Sequence, residues 1–73
     1  MSVQVHPTSI IADGAALGDG VVIGPFCTVG PNVRLGAGTR LVSHIVVDGH
    51  TELGSGNTVY PFAMLGGPPQ HTA

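Results

Sequence analysis

The sequence contains little charge and few aromatic residues. Its 73 residues include two arginines, no lysine and no tryptophan, and the formal net charge is −2. Two cationic side chains cannot neutralise a run of phosphates, and we therefore expect no nucleic-acid partner. The single cysteine, Cys27, excludes an internal disulfide framework and is compatible with a reducing cytoplasm.

Long apolar runs are also missing. No stretch approaches the roughly 20 apolar residues that a membrane span requires, and no basic region followed by an apolar stretch marks a signal peptide. We therefore expect no membrane span and a cytoplasmic location. Low charge together with strong periodicity favours packed regular structure over disorder.

What the sequence does have is a strict period of six. Six residues advance an α-helix by about 240° and would scatter a repeated side chain over three faces. In strands, residues six apart can all point inward, because six is a multiple of the strand period. Short strands joined by tight corners, three to a coil of about eighteen residues, therefore predict an all-β solenoid of about four coils. The repeated aliphatic residues are Val5, Ile11, Leu17, Ile23, Val29, Leu35, Leu41, Val47, Leu53, Val59 and Leu65.

The remaining positions of the six-residue repeat agree with this fold. Four of the six prolines share one position, which places them at corners, because proline cannot donate to a ladder. Residues eighteen apart should stack, which gives the outer surface three faces. One face is largely apolar and is our candidate for a subunit contact, although it could also be a mildly hydrophobic side of the solenoid. It carries Ile10, Thr28, Val46 and Met64.

The repeat fails after Leu65, where Pro69 and His71 take the two inward positions. We therefore predict β-helix coils over residues 1–65 and a loop leaving the coil over 66–73. No amphipathic helix or polar cap follows, although the last repeat of a solenoid normally needs one. The chain is interpreted as a piece of a longer solenoid.

The histidines are the obvious candidates for chemistry, but their spacing separates them. Metal binding or general-base catalysis needs at least two groups brought together, and no two histidines are eighteen residues apart. We interpret His6, His44 and His50 as corner or surface residues that could meet only across a subunit boundary. Cys27 takes an inward position and is interpreted as a buried thiol rather than a nucleophile. Composition and spacing thus indicate the fold but leave the function open.

Four sequence segments closely resemble those of one protein family. It is the acyl-carrier-protein-dependent UDP-N-acetylglucosamine O-acyltransferase family, which catalyses the first step of lipid A synthesis. The hexapeptide period is shared by many acetyl- and acyltransferases, whereas these four segments are more specific to this family. They are residues 6–11 (HPTSII), 23–31 (IGPFCTVGP), 43–51 (SHIVVDGHT) and 60–70 (YPFAMLGGPPQ).

The resemblance implies a left-handed parallel β-helix and a cytoplasmic homotrimer with active sites between subunits. It implies transfer of a 3-hydroxyacyl group from acyl carrier protein to the 3-hydroxyl of UDP-N-acetylglucosamine, with no cofactor and no metal. A histidine general base performs this step in the family, and it lies in coils beyond Ala73, so no catalytic residue is assigned here. The resemblance covers nearly all of the chain but only about the first quarter of such an enzyme.

The resemblance also implies substrate-binding residues. Gln70 and His71 match the family's loop against the nucleotide-sugar acceptor, although many relatives have aspartate where His71 stands. Two alternatives remain: a non-catalytic solenoid that serves assembly, and a fragment of a γ-type carbonic anhydrase with zinc between subunits. The lack of eighteen-spaced histidines argues against the second of these.

Overall fold

The computed structural model describes residues 2–66, and every regular element in that range is a short β-strand. Strands of two or three residues alternate with tight turns, as the positions of the glycines and prolines predict. In chain order they are β1 (Gln4–Val5), β2 (Ile10–Ile11), β3 (Ala16–Leu17), β4 (Val22–Ile23), β5 (Thr28–Val29), β6 (Val33–Leu35), β7 (Arg40–Leu41), β8 (Val46–Val47), β9 (Thr51–Leu53), β10 (Thr58–Val59) and β11 (Met64–Leu65).

The strands form three parallel sheets, one on each side of a coil. The first sheet has the order β1-β4-β7-β10, the second β2-β5-β8-β11 and the third β3-β6-β9. Paired residues lie eighteen apart, as Ile23 and Leu41 do in the first sheet. The predicted all-β solenoid is therefore confirmed, and residues 2–66 contain three complete coils and two strands of another.

The repeated aliphatic residues point into the solenoid, but their burial depends on the coil. Ile23, Leu35 and Leu41 in the middle coils are buried, whereas Val5 in the first coil is exposed and Leu53 is only half-buried. A middle coil is covered on both sides by its neighbours, and the outer coils are covered by described residues on one side only. The middle coils therefore supply most of the hydrophobic stabilisation.

A second row of residues, two positions before each repeated aliphatic residue, is buried in the middle coils, and hydroxyl residues in this row bond to backbone. Thr39 is fully buried, and its hydroxyl donates to the Gly54 carbonyl at 2.8 Å. Ser9 Oγ donates to the Gly24 carbonyl at 2.6 Å and accepts from the Cys27 amide at 2.8 Å. Each of these hydrogen bonds joins one coil to the next, so the interior hydroxyls stabilise the stacking of the coils.

Glycine follows several of the repeated aliphatic residues, and at Gly36 the lack of a side chain has a steric cause. A Cβ placed on Gly36 would lie 2.5 Å from the Gly54 carbonyl carbon and 2.6 Å from the Ser55 nitrogen. Backbone of the following coil therefore occupies the space that a side chain would need. The strand ladder itself brings the coils this close, since the Gly36 amide donates to the Leu53 carbonyl at 2.8 Å.

The last described strand, β11, ends at Leu65. The division into coils over 1–65 and a loop over 66–73 stays a prediction, because residues 67–73 lie outside the described range.

Candidate functional site

The two residues predicted to contact substrate, Gln70 and His71, lie outside the described residues. Their role stays a prediction. The other three histidines lie within residues 2–66. His6 and His44 lie in turns between the first and second sheets, two coils apart, and His50 lies in a turn between the second and third sheets.

His6 closes a turn in the first coil. Its Nδ1 atom lies 2.8 Å from Thr8 Oγ1 and accepts the Thr8 amide proton at 3.2 Å. Thr8 Oγ1 in turn accepts from the Phe26 amide of the next coil at 3.0 Å. The ring is thus tied to the turn, as expected of a corner residue.

His50 lies at a different corner, beside an open hollow of about 170 Å³. The hollow spans two neighbouring coils, because Arg34 and Glu52 are register partners in the third sheet. Its lining carries charges of both signs, from Arg34 and Glu52, and so selects no single ligand charge. The lining residues are Asn32, Arg34, His50, Thr51 and Glu52.

Metal ligation finds no support in the described part of the chain. Between residues 2 and 66, no group of three or more histidine, cysteine or acidic side chains could hold a metal ion. Cys27 is buried, 1% exposed, and its thiol is directed at the Pro25 carbonyl at 3.7 Å. The interpretation of Cys27 as a buried thiol is confirmed.

His44 belongs to a stack of rings that the sequence analysis did not identify. Its imidazole lies between two phenyl rings, with centroids 5.0 Å from Phe26 and 5.2 Å from Phe62. These three residues, eighteen apart, place one ring on each of three successive coils along a single corner, and we call them the aromatic column. Phe26 is 57% exposed and Phe62 is 82% exposed, so the column is a surface feature.

The backbone of the aromatic column is unusual. Phe26, His44 and Phe62 all have positive φ, at 59°, 51° and 68°. Residues with a side chain rarely adopt this left-handed conformation, which costs about 1–2 kcal/mol. At other corners the equivalent position is glycine, as at Gly20 and Gly38. Phenylalanine gives no turn signal, but the eighteen-residue spacing of 26, 44 and 62 could have revealed the column.

The aromatic column adjoins the predicted apolar face. The outward residues of the second sheet are in register across β2, β5, β8 and β11. Ile10 is 67% exposed and Met64 is 58% exposed, and Val46 between them is also exposed. The exposed Thr28 lies between Ile10 and Val46 in this row, so the column and the face are mainly apolar but not continuously so.

Comparison with protein-family models finds one match, over residues 8–44. It is described as bacterial transferase hexapeptide (six repeats). The match begins in the first coil and ends at the corner that carries His44. No helix among residues 2–66 is long and apolar enough to cross a membrane.

Curated relatives are similar over most of the chain. A protein of Rickettsia bellii (strain OSU 85-389) is 53% identical over 66 residues, which are 90% of this chain and 24% of the relative. A protein of Rickettsia rickettsii (strain Sheila Smith) is 64% identical over 66 residues, 90% of this chain and 25% of the relative. Both are named acyl-[acyl-carrier-protein]–UDP-N-acetylglucosamine O-acyltransferase. The chain thus spans about a quarter of the length of the relatives it matches.

Proposed function

The chain belongs to the bacterial transferase hexapeptide family, and we propose that it is the N-terminal part of an O-acyltransferase. The proposed reaction moves a 3-hydroxyacyl group from acyl carrier protein to the 3-hydroxyl of UDP-N-acetylglucosamine, the first step of lipid A synthesis. The observation that carries the proposal is 64% identity over 66 residues to a relative named for this pair of substrates.

The chemistry needs groups that the described residues do not bring together. A sugar hydroxyl that attacks a thioester must lose its proton to a base, and the carbonyl oxygen needs a donor while it carries charge. The ester bond forms as the carbon–sulfur bond breaks, and the carrier thiol leaves. His6 is tied to its turn and His44 is stacked between rings. From the resemblance to the O-acyltransferase family, we propose that the general base is a histidine outside these 73 residues, and that the chain alone is inactive.

We assign acceptor binding to Gln70 and His71. A glutamine carboxamide offers two donors and an acceptor to a nucleotide sugar, and histidine offers one of each when neutral. They lie five and six residues after Leu65, where the last described strand, β11, ends.

Further parts of the proposal concern assembly and location. We propose a cytoplasmic homotrimer in which the apolar face through Ile10, Val46 and Met64 contributes to the subunit contact. The exposure of Ile10 and Met64 supports this assignment, because contiguous exposed apolar surface usually marks a contact.

A chimera tests the catalytic proposal. Residues 1–73 replace the matching quarter of the Rickettsia rickettsii relative, and acyl transfer from the carrier-protein thioester to UDP-N-acetylglucosamine is measured. We expect the chimera to be active and the 73-residue chain to be inactive. Gln70→Ala in the chimera should raise KM for the nucleotide sugar about tenfold, the usual effect of losing one or two hydrogen bonds. Gln4→Ala, in exposed β1, is the matched control and should leave KM unchanged.

A folded chimera that transfers no acyl group would refute the catalytic assignment. It would favour the second candidate, a non-catalytic solenoid module that serves assembly. The exposed apolar surface is the observation that supports this alternative. Activity and assembly are measured separately, so the two candidates can be distinguished.

A further inference from the structure

We infer that the turn packed against the end of β11 positions the acceptor-binding residues of the proposed acyl transfer. Residues 48–50 connect β8 to β9, and together with Thr51 we call them the 48–51 turn. The inference makes Thr51 and Gly66 positioning residues, which act on the nucleotide sugar through Gln70 and His71. It rests on the proposed function and adds the residues that set where the acceptor is held.

The backbone conformation of Gly66 is the first argument. Gly30, Asp48 and Gly66 are equivalent residues of successive coils, because each directly follows a strand of the second sheet. Gly66 has a positive φ of 73°, whereas Gly30 and Asp48 do not adopt the left-handed conformation. The chain therefore departs at Gly66 from the path that it follows in the two preceding coils. Glycine allows this change of direction without steric cost.

The contacts of Gly66 are the second argument. The Asp48 amide donates to the Leu65 carbonyl at 2.9 Å, which fixes the residue before Gly66. Thr51 Oγ1 donates to the Asp48 carbonyl at 2.6 Å, and both oxygens occupy the space that a Cβ on Gly66 would need. The Gly66 carbonyl oxygen in turn occupies the space that a Cβ on Gly49 would need. The turn thus contacts Gly66 closely and leaves no room there for a side chain.

The hydroxyl of Thr51 is the third argument. Thr51 is the register partner of Val33 in the preceding coil. Valine has no donor, so the solenoid forms its coil at this position without such a hydrogen bond. The hydroxyl is present in the turn against which the chain changes direction, and there it holds the Asp48 carbonyl in place.

The connection to the acceptor is short. Gln70 and His71, outside the described residues, follow Gly66 by four and five positions in the sequence. Four residues extend over at most about 14 Å, and two of the three residues between Gly66 and Gln70 are prolines, whose ring restricts backbone rotation. A change in the direction set at Gly66 should therefore displace the groups that bind the nucleotide sugar.

Substitutions at Thr51 test the inference in the chimera of residues 1–73 with the Rickettsia rickettsii relative. Thr51→Val keeps the shape of the side chain and removes the hydroxyl, whereas Thr51→Ser keeps the hydroxyl. Thr58→Val is the matched control, because Thr58 is exposed on β10 in the first sheet. For each variant, kcat and the KM values of both substrates are measured, and thermal unfolding by circular dichroism verifies the fold.

Thr51→Val should raise KM for UDP-N-acetylglucosamine about threefold to tenfold, the effect of one lost hydrogen bond. KM for the carrier-protein thioester and kcat should stay unchanged, because the turn acts on the acceptor alone. Thr51→Ser should restore the parent KM, and Thr58→Val should not alter it. Gly66→Ala, which places a Cβ against Thr51 Oγ1, should raise the same KM. Equal KM values for Thr51→Val and Thr51→Ser would overturn the inference.

A second set of variants tests whether Thr51 acts through the two acceptor-binding residues. In a chimera with Gln70→Ala and His71→Ala these contacts are already lost, so adding Thr51→Val should raise KM no further. Residues that act as one unit give such non-additive effects. If Thr51→Val raised KM by the same factor in this background, Thr51 would act elsewhere and the positioning role would be refuted.

Equilibrium binding separates the inference from the proposed activity. Calorimetry gives the Kd of UDP-N-acetylglucosamine for the chimera without turnover, and Thr51→Val should raise this Kd by the same factor as KM. A chimera that shows this change but transfers no acyl group would refute only the proposed activity. A chimera that transfers the acyl group with no effect of Thr51→Val would refute only the positioning role. A folded chimera that does not bind the nucleotide sugar would overturn both.

Discussion

Replacing Gly36 with alanine should destabilise the solenoid strongly. The new Cβ would lie 2.5 Å from the Gly54 carbonyl carbon, 2.6 Å from the Ser55 nitrogen and 2.7 Å from the Gly54 oxygen. All three atoms are backbone atoms of the next coil, so no side-chain rotation can relieve the contact. The two coils would have to separate, which stretches the bond from the Gly36 amide to the Leu53 carbonyl.

Two opposing effects set the magnitude of the Gly36→Ala change. Overpacking of this kind costs about 1–3 kcal/mol, and a contact with backbone belongs at the upper end. Alanine also reduces the freedom of the unfolded chain, which stabilises the fold by about 0.4–1 kcal/mol. We therefore expect the free energy of unfolding to fall by about 2 kcal/mol. For a chain of this size, that corresponds to a Tm lower by about 8–16 °C.

Gly54→Ala is the matched control, one coil further along the same row. Among the described residues, its nearest neighbour would be the Asn57 side-chain nitrogen at 3.7 Å, an ordinary contact. The entropic gain then dominates, and we expect Tm to rise by a few degrees. Thermal unfolding of both variants, followed by circular dichroism, gives the comparison. A Gly36→Ala protein that melts at or above the parent temperature would refute the argument from coil spacing.

Three further predictions concern the interior. Ser9→Ala should lower the free energy of unfolding by about 1–3 kcal/mol in urea titrations, because the Gly24 carbonyl and the Cys27 amide both lose a partner. Thr39→Val keeps the shape but removes a bond to the Gly54 carbonyl, so a loss of about 1 kcal/mol is expected by the same assay. The buried Cys27 thiol should react with a disulfide reagent only as the chain unfolds, and rapid reaction of folded protein would contradict its burial.

The sequence alone determined the repeating part of the fold. A period of six with prolines and glycines at fixed positions is incompatible with a helix and compatible with strands and corners. It therefore predicted which residues stack, such as Val29 on Val47, and which point inward, such as Cys27 and Leu41. These properties follow from local geometry, so the position and orientation of one strand predict those of the next.

Tertiary structure decided what depends on neighbouring coils. Burial of the repeated aliphatic residues is complete only in the middle coils, because a side chain such as Leu41 needs cover on both sides. Asn57 lies eighteen residues after the buried Thr39, yet it is exposed, and its side-chain amide donates to the Gly54 carbonyl. Neither difference could be read from the period, since every coil has the same pattern.

The aromatic column was likewise determined partly by the sequence and partly by the tertiary structure. The sequence places Phe26, His44 and Phe62 eighteen residues apart, but their residue types predict no left-handed turn. Only the assembled coils bring the rings within stacking distance and hold each backbone at positive φ. The physical reason is that a residue's own preference opposes this conformation, and contacts with the coils above and below enforce it.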